Sequence, residues 1–167
     1  MRKVPVLLIC FLALIPVAAF AGPLDITNID GVWNNNTGGL NVTGIGTSTV
    51  TWGDGIAPDS GYNFAPAADI TPVTLDTAFP LGTFTHYNEV IPTGSAITAI
   101  DLLFSFDTNG NPASVPVTIN FAHNETPNVP GPVDDEVTIS TPLAYTLITV
   151  GTDEYYFQLL GFSNTGG

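Results

Sequence analysis

Apolar and polar residues alternate with a period of two along much of the chain, the spacing that sends every second side chain to one face of a strand. Residues 97–106, ITAIDLLFSF, put Ile100, Leu102, Phe104 and Phe106 on one face. Residues 115–122 do the same with Val115, Val117, Ile119 and Phe121, and residues 135–140 turn Val137 and Ile139 inward. A short strand over 48–52 ends at the turn Gly53-Asp54-Gly55, and another runs through 81–90. Two late strands, 144–150 and 154–162, flank the hairpin turn Gly151-Thr152-Asp153. Residues 69–77 add a candidate edge strand, where Pro72 is tolerated as it is not in the middle of a sheet. Convincing helical spacing is missing beyond the first residues. The 17 glycines and 14 prolines, scattered every few positions, leave little room for a helix. Many short strands separated by turns predict an all-β fold, a single antiparallel β-sandwich of jelly-roll or immunoglobulin-like type.

The first residues follow another grammar. Met1-Arg2-Lys3 is a basic start, residues 4–20 are apolar, and Ala19-Phe20-Ala21 is a small-residue cleavage site. That is the pattern of a secretory signal peptide over residues 1–21, with the folded domain at 22–167. Pro5, Pro16 and the small-residue exit favour cleavage over a transmembrane anchor. Cys10 follows Ile9, where lipid attachment needs a small residue, so lipidation is not expected. No membrane insertion is expected after cleavage.

Cleavage changes the charge more than the length. Arg2 and Lys3 are the only basic side chains besides the histidines, and Cys10 is the only cysteine. The mature chain of about 145 residues, enough for one domain with one core, would keep all 15 acids and no Lys, Arg or Cys. It would form no disulfide, and its carboxylates would face water, backbone donors or bound cations. Its field would oppose nucleic acid and anionic membranes. An apolar content of 44% is too high for a disordered acidic tail.

Several residues in order carry a family likeness. They are Val50-Thr51-Trp52-Gly53, Ser60-Gly61-Tyr62-Asn63-Phe64, Gly82-Thr83-Phe84-Thr85-His86-Tyr87-Asn88, Asn124-Glu125-Thr126-Pro127-Asn128 and Asp134-Asp135-Glu136-Val137-Thr138-Ile139. This set resembles the THxN family of PEP-CTERM proteins and, equally, the related choice-of-anchor K domain. The resemblance implies an exported, β-rich surface or matrix protein of a Gram-negative bacterium, partnered by extracellular polysaccharide or a surface protein. Members commonly end in a Pro-Glu-Pro motif, an apolar helix and a basic tail read by exosortase. This chain shows none of the three, so the expectation is either a tail beyond Gly167 or release.

The candidate chemistry centres on the two histidines, His86 and His123. One reading makes Thr85, His86, Asn88, Glu125, Pro127 and Asn128 a structural brace, in which these side chains satisfy irregular backbone. Another makes His86, His123 and Glu125 a metal site, since imidazole and carboxylate suit zinc or another divalent ion. The acid cluster Asp134-Asp135-Glu136 reads as a solvated turn or as half of a calcium site. Residues 107–111, DTNGN, begin like a calcium loop. However, Pro112 stands where that loop needs Gly and Thr118 where it needs Glu, so an Asn-Gly hairpin is expected. Nothing supplies a nucleophile elbow or a Cys nucleophile. The expected function is therefore non-enzymatic, a structural or adhesion component outside the cell. Two alternatives stay open: a carbohydrate-binding module using exposed aromatics around Trp52 or Tyr156, and a metal-dependent hydrolase using His86 and His123. Trp33 and the run Tyr155-Tyr156-Phe157 carry the same choice between stacking on sugars and packing in a core.

Overall fold

A computed structural model of the chain describes residues 2–13, 23–56, 58–112, 117–126, 135–140 and 145–163. Strands β1 (Arg2–Ala13), β3 (Thr49–Trp52), β4 (Ser60–Pro66), β5 (Ala78–Asn88), β10 (Tyr145–Val150) and β11 (Asp153–Ser163) build one sheet. Its order is β10-β11-β1-β5-β4-β3. The second sheet contains β2 (Ile26–Gly38), β6 (Ile97–Thr108), β8 (Val117–Asn124) and β9 (Glu136–Ile139), in the order β2-β6-β8-β9. The short strand β7 (Asn111–Pro112) pairs with β6. The pairings are antiparallel, and the two sheets pack on each other as a sandwich.

The inward sets follow the alternation. Ile100, Leu102, Phe104 and Phe106 of β6 are buried, as are Ile119 and Phe121 of β8. Rings meet across the two sheets: Trp33 lies 5.3 Å from Tyr62, Phe84 stacks on Phe121 at 5.6 Å, and Phe104 stacks on Phe157 at 6.4 Å. Each fully buried aromatic or aliphatic side chain contributes about 1.5–3 kcal/mol by leaving water. The ring of Phe64 also depends on two glycines. A Cβ at Gly31 or at Gly82 would stand 2.6 Å from its carbons, closer than atoms can approach. Hence Gly82 in β5 is a packing requirement rather than a flexible point.

Strand β2 breaks the period-two rule and is missing from the sequence reading. Asn28 and Asn35 adopt left-handed backbone (φ 52° and 49°), and the β2–β6 register shifts around each. Asparagine tolerates that conformation better than most residues. Each bulge is held by its side chain: Asn28 donates to Asp107 at 2.7 Å and Asn35 to Asp101 at 3.1 Å. Asp107 thus serves a strand partner. The turn after it has positive φ at Asn109 and Gly110 (48° and 76°), the requirement of a type I′ hairpin.

The expected edge strand over 69–77 does not form. Ile70 makes a single bridge to Ile26, and the chain then turns at Leu75 and Asp76. Proline at 72 donates no backbone hydrogen bond that would extend the pairing. Val115 and Ala144 lie outside the described residues, and β8 and β10 begin at Val117 and Tyr145. The apolar run expected as a signal peptide contributes β1, which pairs with β5 on one side and β11 on the other. Residues 14–22, which span the expected cleavage site, lie outside the described residues.

Candidate functional site

Three strands deliver the site by simple parity. His86 follows Phe84 by two positions on β5 and shares its inward face. His123 follows Phe121 by two on β8. Asp135 precedes Val137 by two, at the entry to β9, and so takes the face of Val137 and Ile139. Register aligns them. Tyr62 of β4 is the cross-strand partner of His86, and Val137 is the partner of His123. Asp135 therefore arrives beside the end of β8, while His86 comes from the opposite sheet.

The two imidazoles meet with ring centroids 5.4 Å apart, nearly perpendicular at 88°. His86 Nε2 lies 3.6 Å from Asp135 Oδ2. The ligating atoms of His86, His123 and Asp135 all lie within 4.8 Å of one another. Little water reaches them: His86 is 7% exposed, His123 5%, and the Asp135 side chain 1%. Trp52 and Tyr62 form the walls. The Trp52 indole stacks beside His86 at 6.4 Å and meets His123 edge-on at 5.3 Å. Tyr62 packs 5.2 Å from His86.

Each group is oriented by a neighbour. The Tyr62 hydroxyl is hydrogen-bonded to His123 Nδ1, so Nε2 is the nitrogen turned toward the acids. Glu125 Oε2 stands 3.4 Å from that Nε2. Asp135 Oδ1 accepts from the backbone N–H of Thr126 at 2.9 Å and from its hydroxyl at 3.1 Å. Asp135 Oδ2 accepts no hydrogen bond among the described residues. Burial first, and then the negative charges of Asp135 and Glu125, push the Tyr62 phenol well above its ordinary pKa. Tyr62 therefore stays protonated at neutral pH and offers His123 both a donor and an acceptor.

The structure redistributes the candidates. It brings His86 and His123 together, with Asp135 as the acid near both; Glu125 reaches His123 alone. Of the calcium grouping, only Asp135 and Glu136 are among the described residues. Asp135 is buried and aimed at imidazoles, Glu136 is exposed on β9, and Asp134 lies outside the described residues. Calcium takes oxygen ligands, so a pair of imidazoles is the wrong chemistry for it. Of the brace residues, Thr85 and Asn88 sit half-buried on β5, and Pro127 and Asn128 lie outside the described residues. Trp52 and Trp33 are fully buried, which removes both from any sugar-stacking surface. Tyr155 and Phe157 are core residues, and Tyr156 points the other way, 37% exposed. Tyr156 meets Tyr145 of β10 edge-on, at 81°, so the pair offers no coplanar platform. The residues missed by the sequence reading are Tyr62 and Asp135 as partners of the histidines. The signal for both was parity: Tyr62 lies two before Phe64, and Asp135 two before Val137.

Compared with protein-family models and with curated proteins, the chain finds no match in either.

Proposed function

We propose that this chain is an exported, non-enzymatic β-sandwich that serves as a structural or adhesive component of an extracellular, polysaccharide-bearing matrix. The observation that carries the non-enzymatic part is the burial of the chemistry. Both histidines are at most 7% exposed and the Asp135 side chain is 1% exposed, behind Trp52 and Tyr62, where a substrate has no approach. Catalytic metal sites keep a position open to water or substrate, whereas structural ones are closed. The export part is supported by the basic–apolar–small-residue start and by the family resemblance. An acidic surface without Lys or Arg beyond residue 3 suits a hydrated, cation-bearing medium.

Export would also alter the sheet. Cleavage after residue 21 removes β1 from between β5 and β11, two strands that run parallel to each other because each is antiparallel to β1. Closing that gap moves the β10–β11 hairpin by about one strand spacing, roughly 4.8 Å, and makes a direct parallel pair.

The test is expression of the tagged full-length chain in a Gram-negative host, followed by fractionation and N-terminal sequencing. The expected product lies outside the cytoplasm, begins at Gly22 and is retained on the host's extracellular polysaccharide. A cytoplasmic product that keeps Met1 would sink the export reading. Turnover of glycoside or ester substrates that disappears in His86→Ala would sink the non-enzymatic one.

A further inference from the structure

We propose that His86, His123 and Asp135 hold a structural zinc ion that ties the two sheets together. The proposal stands on the geometry of the site and not on the export reading. Two imidazoles and a carboxylate are a donor set of zinc type. Around a tetrahedral ion with bonds of about 2.0–2.1 Å, neighbouring ligand atoms stand roughly 3.3 Å apart. The His86–Asp135 pair, at 3.6 Å, is already near that spacing, and the whole set lies within 4.8 Å. Small side-chain rotations complete the contraction.

A second, independent observation is Asp135 itself. Its side chain is 1% exposed, and its Oδ2 has no hydrogen-bond donor among the described residues while facing the imidazoles. A buried carboxylate oxygen without a hydrogen-bond donor is costly. A divalent cation relieves it. With Asp135 and Glu125 both ionised, one such ion also leaves the site neutral. Glu125 Oε2, 3.4 Å from His123 Nε2, is the oxygen placed to complete four-coordination.

The surroundings are those of a ligand shell. A zinc-bound histidine commonly has its other ring nitrogen held by a hydrogen-bond partner, which fixes ring and tautomer. The Tyr62 hydroxyl holds His123 Nδ1 in this way. Thr126 fixes Asp135 through its other oxygen, so the free one points at the ion position. Trp52 and Tyr62 keep the site dry, as a structural ion requires.

The experiment uses the full-length chain stripped with EDTA, then titrated with ZnCl2 by calorimetry and with CoCl2 by visible absorption. Expected are one equivalent of zinc per chain, a raised melting temperature, and the strong visible bands of four-coordinate cobalt. Asp135→Asn, which keeps the shape of the side chain, should weaken zinc binding at least 100-fold. Glu125→Gln should weaken it about 10- to 100-fold. Glu136→Gln, an exposed neighbour, should leave it unchanged. His86→Ala should abolish the cobalt bands; should that variant fail to fold, Asp135→Asn decides alone. Absence of zinc uptake by the wild-type chain overturns the proposal, and so does one-equivalent uptake that survives Asp135→Asn.

Discussion

The two ends of the sandwich interior are built on different principles. At one end Phe104 and Phe106 of β6 pack against Phe157 of β11 with ring centroids at 6.4 and 5.4 Å. At the other, Trp52, Tyr62, His86, His123 and Asp135 fill a comparable space with polar atoms turned inward. Register separates the two ends. Phe104 pairs with Val117, six residues before His123 on the same strand, which is about 20 Å at 3.4 Å per residue. The hydrocarbon end is held chiefly by buried area, which ions do not change. The polar end is held by hydrogen bonds and charge, and its contribution depends on what the medium supplies. One fold therefore carries a constant half and an adjustable half.

The largest expected break is in the constant half. Phe104→Ala should cost about 3–5 kcal/mol through lost burial and the cavity left behind. Urea unfolding should show the same loss with EDTA or with zinc present. A loss that varies with zinc would mean that the two ends are coupled.

Next comes the adjustable half. Free zinc at 100 times its dissociation constant should add about 2.7 kcal/mol to the wild-type chain. That is a melting-temperature rise of roughly 5–11 °C for a domain of this size. Asp135→Asn should lose the rise. The double variant Phe104→Ala/Asp135→Asn should show additive losses, since sites more than about 7–10 Å apart rarely interact. A clear departure from additivity would erase the distinction between the two ends.

The third effect is an alkaline pH dependence, to which Tyr62 contributes at the polar end and Tyr155, its pKa raised by burial and then by the Asp153 charge, contributes on β11. The Tyr62 phenol has its pKa raised above 10.0 in the folded chain, by burial and by the Asp135 and Glu125 charges. The unfolded chain therefore ionises first. Below pH about 10 the contribution is fully present, and stability is lost as pH climbs through the folded-state pKa. Tyr62→Phe should remove its share of that alkaline loss and leave the share of Tyr155, at the cost of roughly 1 kcal/mol near neutral pH for the hydrogen bond to His123. An unchanged alkaline profile in Tyr62→Phe, followed by circular dichroism, would place the sensitivity elsewhere.

The smallest effect belongs to neither end. Tyr156→Ser, on the outer face of β11, should shift stability by no more than about 0.5 kcal/mol. A larger loss by thermal melting would show that the outer face carries weight in the fold.

The comparison also explains what the sequence made legible. Strands β6, β8 and β9 and the β10–β11 hairpin could be read because unbroken alternation is a direct record of two-sided packing. Strand β2 could not. Its bulge at Asn28 shifts the parity, so the buried set Ile29, Gly31 and Trp33 runs out of step with buried Leu24 and Ile26, and Gly31 supplies no apolar side chain to mark the pattern. The stretch over 69–77 misled in the opposite direction, since composition suited to an edge strand says nothing about whether a partner edge lies within reach. In the site, the histidines stood out by rarity. Asp135 was obscured by Asp134 and Glu136, because a run of acids reads as one solvated cluster. On a strand, however, neighbours point to opposite faces, and the middle acid of three shared its face with Val137 and Ile139.

The place where the histidines meet has a mechanical consequence. Cys10 is the only cysteine of the chain, so no disulfide within it can join the two sheets. An ion shared by β5, β8 and the start of β9 is a fastener that any chelator can undo and any metal-rich medium can restore. Its grip is then a concentration rather than a bond strength. In a matrix built from many such chains, stiffness would follow local zinc, firm where the metal accumulates and yielding where competing cells remove it.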